Sequence, residues 1–324
     1  MSFTLVTGAT GFLGWHVARV LTENGHRVRA LCRPGSELRE LDAEPITGDL
    51  RDRASLARAI GGCEFLFHVA ADYRLWSRNS DSLYQSNVEG TRNILEAAER
   101  EGVKKIVYTS TVGCIGMPEG AIGDESTPVS VQDMIGHYKR SKWLAEEIAI
   151  QKARVGLPVV IVNPTAPVGD HDWKPTPTGK IIVDFLHGKL SATLDTGLNI
   201  VDAEDVAIGH LLAAQHGRIG ERYILGSENL TFEQILGRLA VLSKKKAPRL
   251  KIPYAVAYAA GVVTTGLAYV TGKPPRAPLE GVKMARKKMF VTHAKATREL
   301  GFSPRPAGTA LEKAVKWFSE NGYR

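Results

Sequence analysis

One stretch limits the fold of this chain more than any other: "FTLVTGATGFLG", residues 3–14. A strand-length apolar run ends in Gly8, and two more glycines come after it at three-residue spacing, Gly11 and Gly14, where helical periodicity begins. Between a strand and a helix, Gly8 allows a tight turn and Gly11 lets the backbone come close to a pyrophosphate. Gly14 lets the helix lie against the sheet, so that the first N–H groups of the helix face the anion. Thr10, Phe12 and Leu13 fill the positions between. The spacing is GxxGxxG rather than the GxGxxG of other dinucleotide binders. A purely structural glycine-rich turn would look the same locally. The alternation of elements downstream argues against it.

Residues 12–25 keep helical spacing up to Gly25, 26–33 alternate as a strand, and 43–50 form a third short strand. Next are a helix over 53–63, a strand over 64–71, a long helix over 81–102 and a strand over 104–113. Strands alternating with helices in this way predict a parallel sheet covered on both faces. Later come a helix (138–154), a strand (157–164), a helix within 176–190, a strand and helix (199–217) and a strand (221–226). From 230 onward only helices are legible. We therefore expect an α/β fold, a Rossmann-type doubly wound parallel sheet with a smaller, mainly helical C-terminal lobe. Residues 1–166 plus about 196–228 should bind the dinucleotide, and about 167–195 with 229–324 the substrate, across a cleft over the carboxyl ends of the strands.

Composition bounds the rest. With 324 residues, 44% hydrophobic and 23% charged, the chain is an ordinary globular one with room for two lobes. A net charge of +8 favours anionic partners without choosing among them, and no nucleic-acid motif accompanies it. The three cysteines, Cys32, Cys63 and Cys114, have neither metal-ligand nor disulfide-framework spacing, so no metal site is expected. The start "MSFTLVTG" enters a strand pattern at once, which points to a reducing, cytoplasmic setting. Residues 252–272 are almost free of charge. A buried or groove-lining helix is the favoured expectation for them, and a surface over 254–270 that meets lipid is the sharper alternative.

Dinucleotide binders that prefer NAD carry an acidic residue about 20 positions past the glycine turn, to hold the ribose 2′-hydroxyl. Here that region reads "LCRPGS", with Arg33 and no carboxylate until Glu37. Arginine holds a 2′-phosphate by charge-assisted hydrogen bonds, so NADP(H) is favoured over NAD(H). A surface role for Arg33 is the alternative. Asp49 and Leu50, in "GDL" after the third strand, are placed at the adenine, where the carboxylate could accept from the amino group. Alternatively Asp49 caps the helix that starts near Arg51. In "HYKRSK", residues 137–142, Tyr138 and Lys142 are four apart and share a helical face, about 40° from each other. Lys139 and Arg140 turn away from Tyr138 by about 100° and 200° and read as solvated. An ammonium beside a phenol lowers its pKa from about 10 and can also hydrogen-bond the cofactor ribose. Such a tyrosine is suited to protonate the alkoxide formed as hydride reaches a carbonyl.

"TGATGFLG", "GDL", "HVAA", "YTSTVG" and "YKRSK", in this order, resemble the extended short-chain dehydrogenase/reductase superfamily along essentially the whole chain. "FHVAADYRLW", "NVEGTRN", "DMIGHYKRSK" and "KPTPTGKIIVDFLHGKL" are similar to the hopanoid-associated sugar epimerases, themselves similar to dihydroflavonol 4-reductases. The resemblance implies a catalytic Tyr138 and Lys142 with a hydroxyl just past the fifth strand, Thr111, beside which Ser110 is the rival. It implies that Val69, Ala70 and Ala71 line the cofactor near the nicotinamide ribose, that Pro164 and Thr165 lie closest to the nicotinamide, and that Asn87 either stands near the site or packs a helix. Gly169 is followed by Asp170 where many such proteins show Gly-Pro. Two roles outside the site stay with the bland reading: His137 as a partly exposed helix histidine, and the basic run 283–290 as a solvated helix face.

The expected protein is an NAD(P)-dependent enzyme moving hydride at a secondary alcohol or ketone. The resemblance implies sugar epimerisation in hopanoid side-chain metabolism on a sugar-like or lipid-linked polyol. A dihydroflavonol-reductase-like NADPH-dependent ketone reduction is the alternative, and a non-catalytic cofactor-sensing scaffold is the alternative of another class. Homodimerisation is common among such proteins, and a polycyclic substrate would give 254–270 a pocket wall or a membrane to touch.

Overall fold

The computed structural model describes residues 2–118 and 120–323. Strand β1 (Phe3–Thr7) leads through the glycine turn into α1 (Phe12–Glu23), followed by β2 (Arg27–Cys32), β3 (Glu44–Thr47), α2 (Arg53–Ile60) and β4 (Cys63–His68). Next come α3 (Asp81–Tyr84), a π-helical turn over Gln85–Glu89, α4 (Gly90–Arg100), β5 (Lys105–Thr109), α5 (Gly136–Arg154) and β6 (Val159–Pro164). The remaining strands are β7 (Ala166–Val168), β8 (Ala192–Thr193), β9 (Gly197–Asp202), β10 (Arg222–Leu225), β11 (Glu228–Thr231) and β12 (Leu250–Lys251). The remaining helices are α6 (Pro177–Leu186), α7 (Ala203–His216), α8 (Phe232–Ser243), α9 (Tyr254–Thr271), α10 (Leu279–Met284), α11 (Ala294–Leu300) and α12 (Ala307–Glu320).

Seven strands form one parallel sheet in the order β10-β6-β5-β4-β1-β2-β3. Alternation along each strand sorts the core into two layers. Leu5, Leu66, Ile106 and Ile161 pack on α2, α4 and α5. Val6, Phe67, Val107 and Val162 pack on α1, α7 and α11. Strand order reverses between β1 and β4, and ligands of such sheets bind in the crevice at that point.

The C-terminal lobe packs α6, α8 and α12 through Ile182, Leu236, Leu311 and Phe318. It also holds a three-stranded sheet, β11-β9-β7, and the β12–β8 pair; of these strands only β9 is legible in the sequence, as the short strand that opens 199–217. Strands of two to four residues are too short to show an alternation of period two. Strand β9, expected with the nucleotide domain, lies in this second sheet, parallel to β7 and antiparallel to β11. The helix expected over 81–102 is broken by the π turn. Helix α9, expected to be buried or to line a groove, instead stands out, with only Gly261 and Ala268 buried. The basic run 283–290 leaves its helix at Met284 and continues as a loop in which Lys288 pairs with Asp195 at 3.0 Å.

Candidate active site

The glycine turn sits at the crevice. Gly8 has φ +80°, and a Cβ there would lie 2.8 Å from the Ala70 backbone. The ends of β1 and β4 thus touch at a position that only glycine fits. A Cβ on Gly14 would lie 2.1 Å from the Gly8 carbonyl oxygen. Helix α1 starts at Gly11 with no side-chain cap and no acidic residue in its first turn, so its leading N–H groups, from Phe12, Leu13 and Gly14, are free to hold an anion. Thr10 is exposed beside them, and Val69, Ala70 and Ala71 at the end of β4 are half-buried across the crevice. These residues fit a dinucleotide pyrophosphate, and NAD(P) held here would supply the hydride exchange.

On the far side of β1, Arg33 is exposed just past β2 and close enough to Asp49 to lower its pKa. Asp49 is held mainly by Arg51, whose Nε and Nη2 donate to its two oxygens at 2.9 and 2.7 Å, and its carboxyl falls to about 2. Asp49 is not the cap of α2; Asp52 is, accepting from the Ala54 N–H at 3.0 Å. Leu50, its neighbour, packs where a Cβ on Gly90 would come within 2.9 Å. Arg51 is not marked by any sequence motif, although it stands two residues from Asp49.

The candidate catalytic hydroxyls, Thr111 and Tyr138, meet past β5. Thr111 has extended backbone and accepts from the Gly113 N–H at 3.1 Å. Its side chain is the neighbour that draws down the Tyr138 phenol, which burial otherwise pushes well above its usual range. Ser110, one residue earlier and buried, turns instead toward Cys114 and Glu146. Consecutive extended residues face opposite sides, so only one of the two can face Tyr138. Lys142 is buried, and burial lowers its ammonium to about 8. It donates to the Tyr108 hydroxyl at 3.1 Å and the Thr109 carbonyl at 2.8 Å. The expectation that Lys142 depresses the Tyr138 pKa does not describe this geometry. Burial is the largest influence on the phenol, and two of the ammonium's three N–H groups are engaged by Tyr108 and Thr109.

A buried polar layer supports these groups. Asn163 donates to the Thr111 carbonyl at 3.0 Å and to Glu146 at 2.7 Å, and Arg222 reaches Glu146 at 3.3 Å. Glu146 follows Lys142 by one helical turn, so the Tyr138–Lys142 face of α5 extends to it; this spacing is readable in the sequence. Beyond Tyr108 lies His68, buried and held neutral at about 3, between Thr91 at 3.0 Å and Thr7 at 2.8 Å. Asn87, in the π turn, accepts from the Asp72 N–H at 2.7 Å and donates to the Asp72 carbonyl and the Ser141 hydroxyl, each at 2.9 Å. Its polar atoms are thus all engaged in tying the 72 loop to α5, which is the packing role. Pro164 and Thr165 are buried, with the Thr165 N–H donating to the Leu225 carbonyl at 3.1 Å. The Asp170 carbonyl receives His16 Nε2 at 3.1 Å, which anchors the loop that departs from the Gly-Pro pattern. His137 faces Tyr84 at 3.2 Å, away from the catalytic group. Lys139 is not a solvated residue as expected; its stem lies over Gly113 and is half-buried.

A glycine turn at the switch point of a parallel sheet, facing a tyrosine–threonine pair and a buried lysine, defines an enzyme that moves hydride to or from a carbon–oxygen bond with a nicotinamide dinucleotide. Residues 4–226 match the model of the NAD dependent epimerase/dehydratase family, and the chain belongs to that family, within the extended short-chain dehydrogenases. It is 43% identical to a Synechocystis protein provisionally named a dihydroflavonol 4-reductase, over 98% of this chain and 95% of that one. It is 37% identical to sterol demethylase protein B of Methylococcus capsulatus, over 98% and 99%. The crystal structure of a nucleoside-diphosphate-sugar epimerase from Pseudomonas aeruginosa is similar at a TM-score of 0.82 and 31% identity, covering 99% of both chains.

Proposed function

We propose that the protein transfers hydride between NADP(H) and a secondary alcohol or ketone on a large, ring-bearing apolar substrate. In this reading Tyr138 donates the proton to the forming alkoxide, Thr111 donates a hydrogen bond to the same oxygen, and Lys142 holds the cofactor ribose. The observation that carries it is the Thr111–Tyr138 pair, with a phenol that burial keeps protonated. A phenol that stays protonated can give its proton to a forming alkoxide, the step that ketone reduction requires. Preference for NADP(H) rests on Arg33, joined by Arg51 beside Asp49, where no acidic residue is placed to hold a 2′-hydroxyl at the end of β2. The apolar substrate is supported by the sterol named in the Methylococcus relative and by the resemblance to hopanoid-associated proteins.

Sugar epimerisation in hopanoid side-chain metabolism is the second reading, favoured by the family description and the likeness to the Pseudomonas epimerase. In it the substrate gives up hydride and regains it on the other face, with no net change in the cofactor. Either reaction suits a reducing, cytoplasmic setting, in keeping with three free, buried cysteines. A polycyclic substrate also gives residues 254–270 a role at its membrane, and a homodimer fits the family habit.

The test measures cofactor and product together. Stoichiometric NADPH oxidation with a polycyclic ketone supports reduction, whereas turnover without net cofactor oxidation supports epimerisation. Tyr138→Phe should abolish turnover while NADP(H) still binds by fluorescence titration. Full turnover by that variant would overturn both readings.

A further inference from the structure

Helix α9 has no charged residue along its 18 positions, and only Gly261 and Ala268 of them are buried. Val263, Leu267 and Val270 are 60%, 57% and 81% exposed, an apolar surface larger than a solvated helix carries. Its inner side is accounted for. Gly261 packs on Leu279 and Val282 of α10, the Thr264 hydroxyl donates to the Ala277 carbonyl at 2.9 Å, and the Thr265 hydroxyl accepts from the Leu279 N–H at 3.0 Å. The hydroxyls that would have softened the outer face are thus turned inward.

Charge says what covers the outer face. From residue 234 to 279 there is no Asp or Glu, while Lys244, Lys246, Arg249 and Lys251 precede the helix and Lys273 and Arg276 come after it; all six are exposed. An apolar helix with cations at both ends complements an anionic lipid surface. The helix lies along that surface rather than through it, because both ends are tied to the protein. Before it, β12 pairs with β8 and the Ile252 N–H donates to the Thr193 carbonyl at 3.0 Å. At its end, Arg78 donates to the Tyr269 carbonyl at 2.8 Å and Trp76 meets the Tyr269 ring at 6.0 Å. The same contacts reach the active site. Residues 76–78 continue the loop that Asn87 clamps at Asp72, and Glu280 of α10 accepts from the His137 N–H at 3.2 Å, one residue before Tyr138.

We propose that α9 docks in the interface of an anionic bilayer, with its Val263–Leu267–Val270 side among the acyl chains and the flanking lysines and arginines on the headgroups. Tyr73, exposed and near enough to Tyr138 to act on its phenol, and Trp76 then lie at the lipid boundary, so that an apolar substrate enters from the bilayer. That second step rests on the apolar-substrate reading above; the docking itself does not.

The test is co-sedimentation of the full chain with vesicles of equal parts phosphatidylglycerol and phosphatidylcholine. Wild type should bind them at least about tenfold more tightly than phosphatidylcholine alone, and the binding should weaken with salt. Val263→Glu/Leu267→Glu should lose vesicle binding with an unchanged melting temperature, since both side chains point outward, and should still reduce a detergent-dispersed ketone. Equal binding by that variant, equal binding to neutral vesicles, or a wild type that binds neither and dimerises through this face by sedimentation would each overturn the proposal. Vesicle binding that persists in a protein without hydride transfer would sink the proposed activity and leave the docking surface standing.

Discussion

Ser110 and Thr111 are neighbours in sequence and opposites in space. The resemblance leaves both in play, and extended backbone decides between them, because one faces Tyr138 and the other the Glu146 layer. Thr111→Ala should lower kcat by about 10²–10³, the usual loss of one positioned donor to a developing oxyanion. Ser110→Ala should leave kcat within a few-fold; the reverse order in steady-state assays would exchange their roles. Lys142 carries a cost that the same logic predicts. Its folded pKa, about 8, lies below the usual 10.5, so the folded state resists the proton that the unfolded chain takes up. The penalty is complete below about pH 8, fades as pH rises, and is gone above about 10.5, with an upper bound on the order of 3 kcal/mol from the size of the shift. Lys142→Met should therefore melt higher than wild type at pH 7, with the gap closing toward pH 10, while turnover is lost. A gap that does not change with pH would mean that the two hydrogen bonds of the ammonium, not its burial, set the balance.

At the scale of elements, the three glycines of the turn are not equivalent. A Cβ on Gly14 would sit 2.1 Å from a backbone oxygen that cannot move without unseating β1, whereas on Gly11 its nearest neighbour is at 3.4 Å. Gly14→Ala should lower the melting temperature sharply. Gly11→Ala should fold normally and bind NADP(H) more weakly, because its methyl occupies the approach of the pyrophosphate. Calorimetry and cofactor titration separate the two, and equal effects on both variants would refute the division. That turn, the alternating strands and the Tyr138–Lys142 face are all legible in the sequence, because each leaves a local signature: a glycine spacing, a period of two, a period near four. The hidden features lack one. The π turn at Gln85–Glu89 is a single extra residue's worth of slack in a helical pattern, yet it brings Asn87 between Asp72 and Ser141. Strands β7 and β11 pair with β9 across long separations and carry too few residues to announce themselves. The exposure of α9 is unreadable because an uncharged helix looks the same in sequence whether it faces core or lipid.

For the whole molecule, the polar residues buried around the cofactor end of the sheet tie the elements together and also set its tolerance of acid. His16 joins α1 to the loop at Asp170, His68 bridges β1 to α4 through Thr7 and Thr91, and His210 on α7 meets Thr109 of β5 at 2.8 Å. Burial holds all three neutral, with pKa values of about 4, 3 and 4 against the usual 6.5. The unfolded chain takes up these protons near pH 6.5 and the folded one does not. Their stabilisation is therefore present above pH 6.5 and lost as pH falls toward 4. Asp172, raised by burial to about 6, works in the opposite sense, as do Glu125 and Glu146, also raised by burial, so these carboxyls offset part of the histidine loss. The carboxyls of Asp49 and Glu204, near 2, add a further loss only below about pH 4. Denaturant unfolding should accordingly show stability falling from about pH 6.5 to 4.5, with a slope on the order of one proton. His210→Gln should flatten that slope by about one proton. An unchanged slope in the variant would assign the acid sensitivity to the carboxyls and remove the histidines from the account.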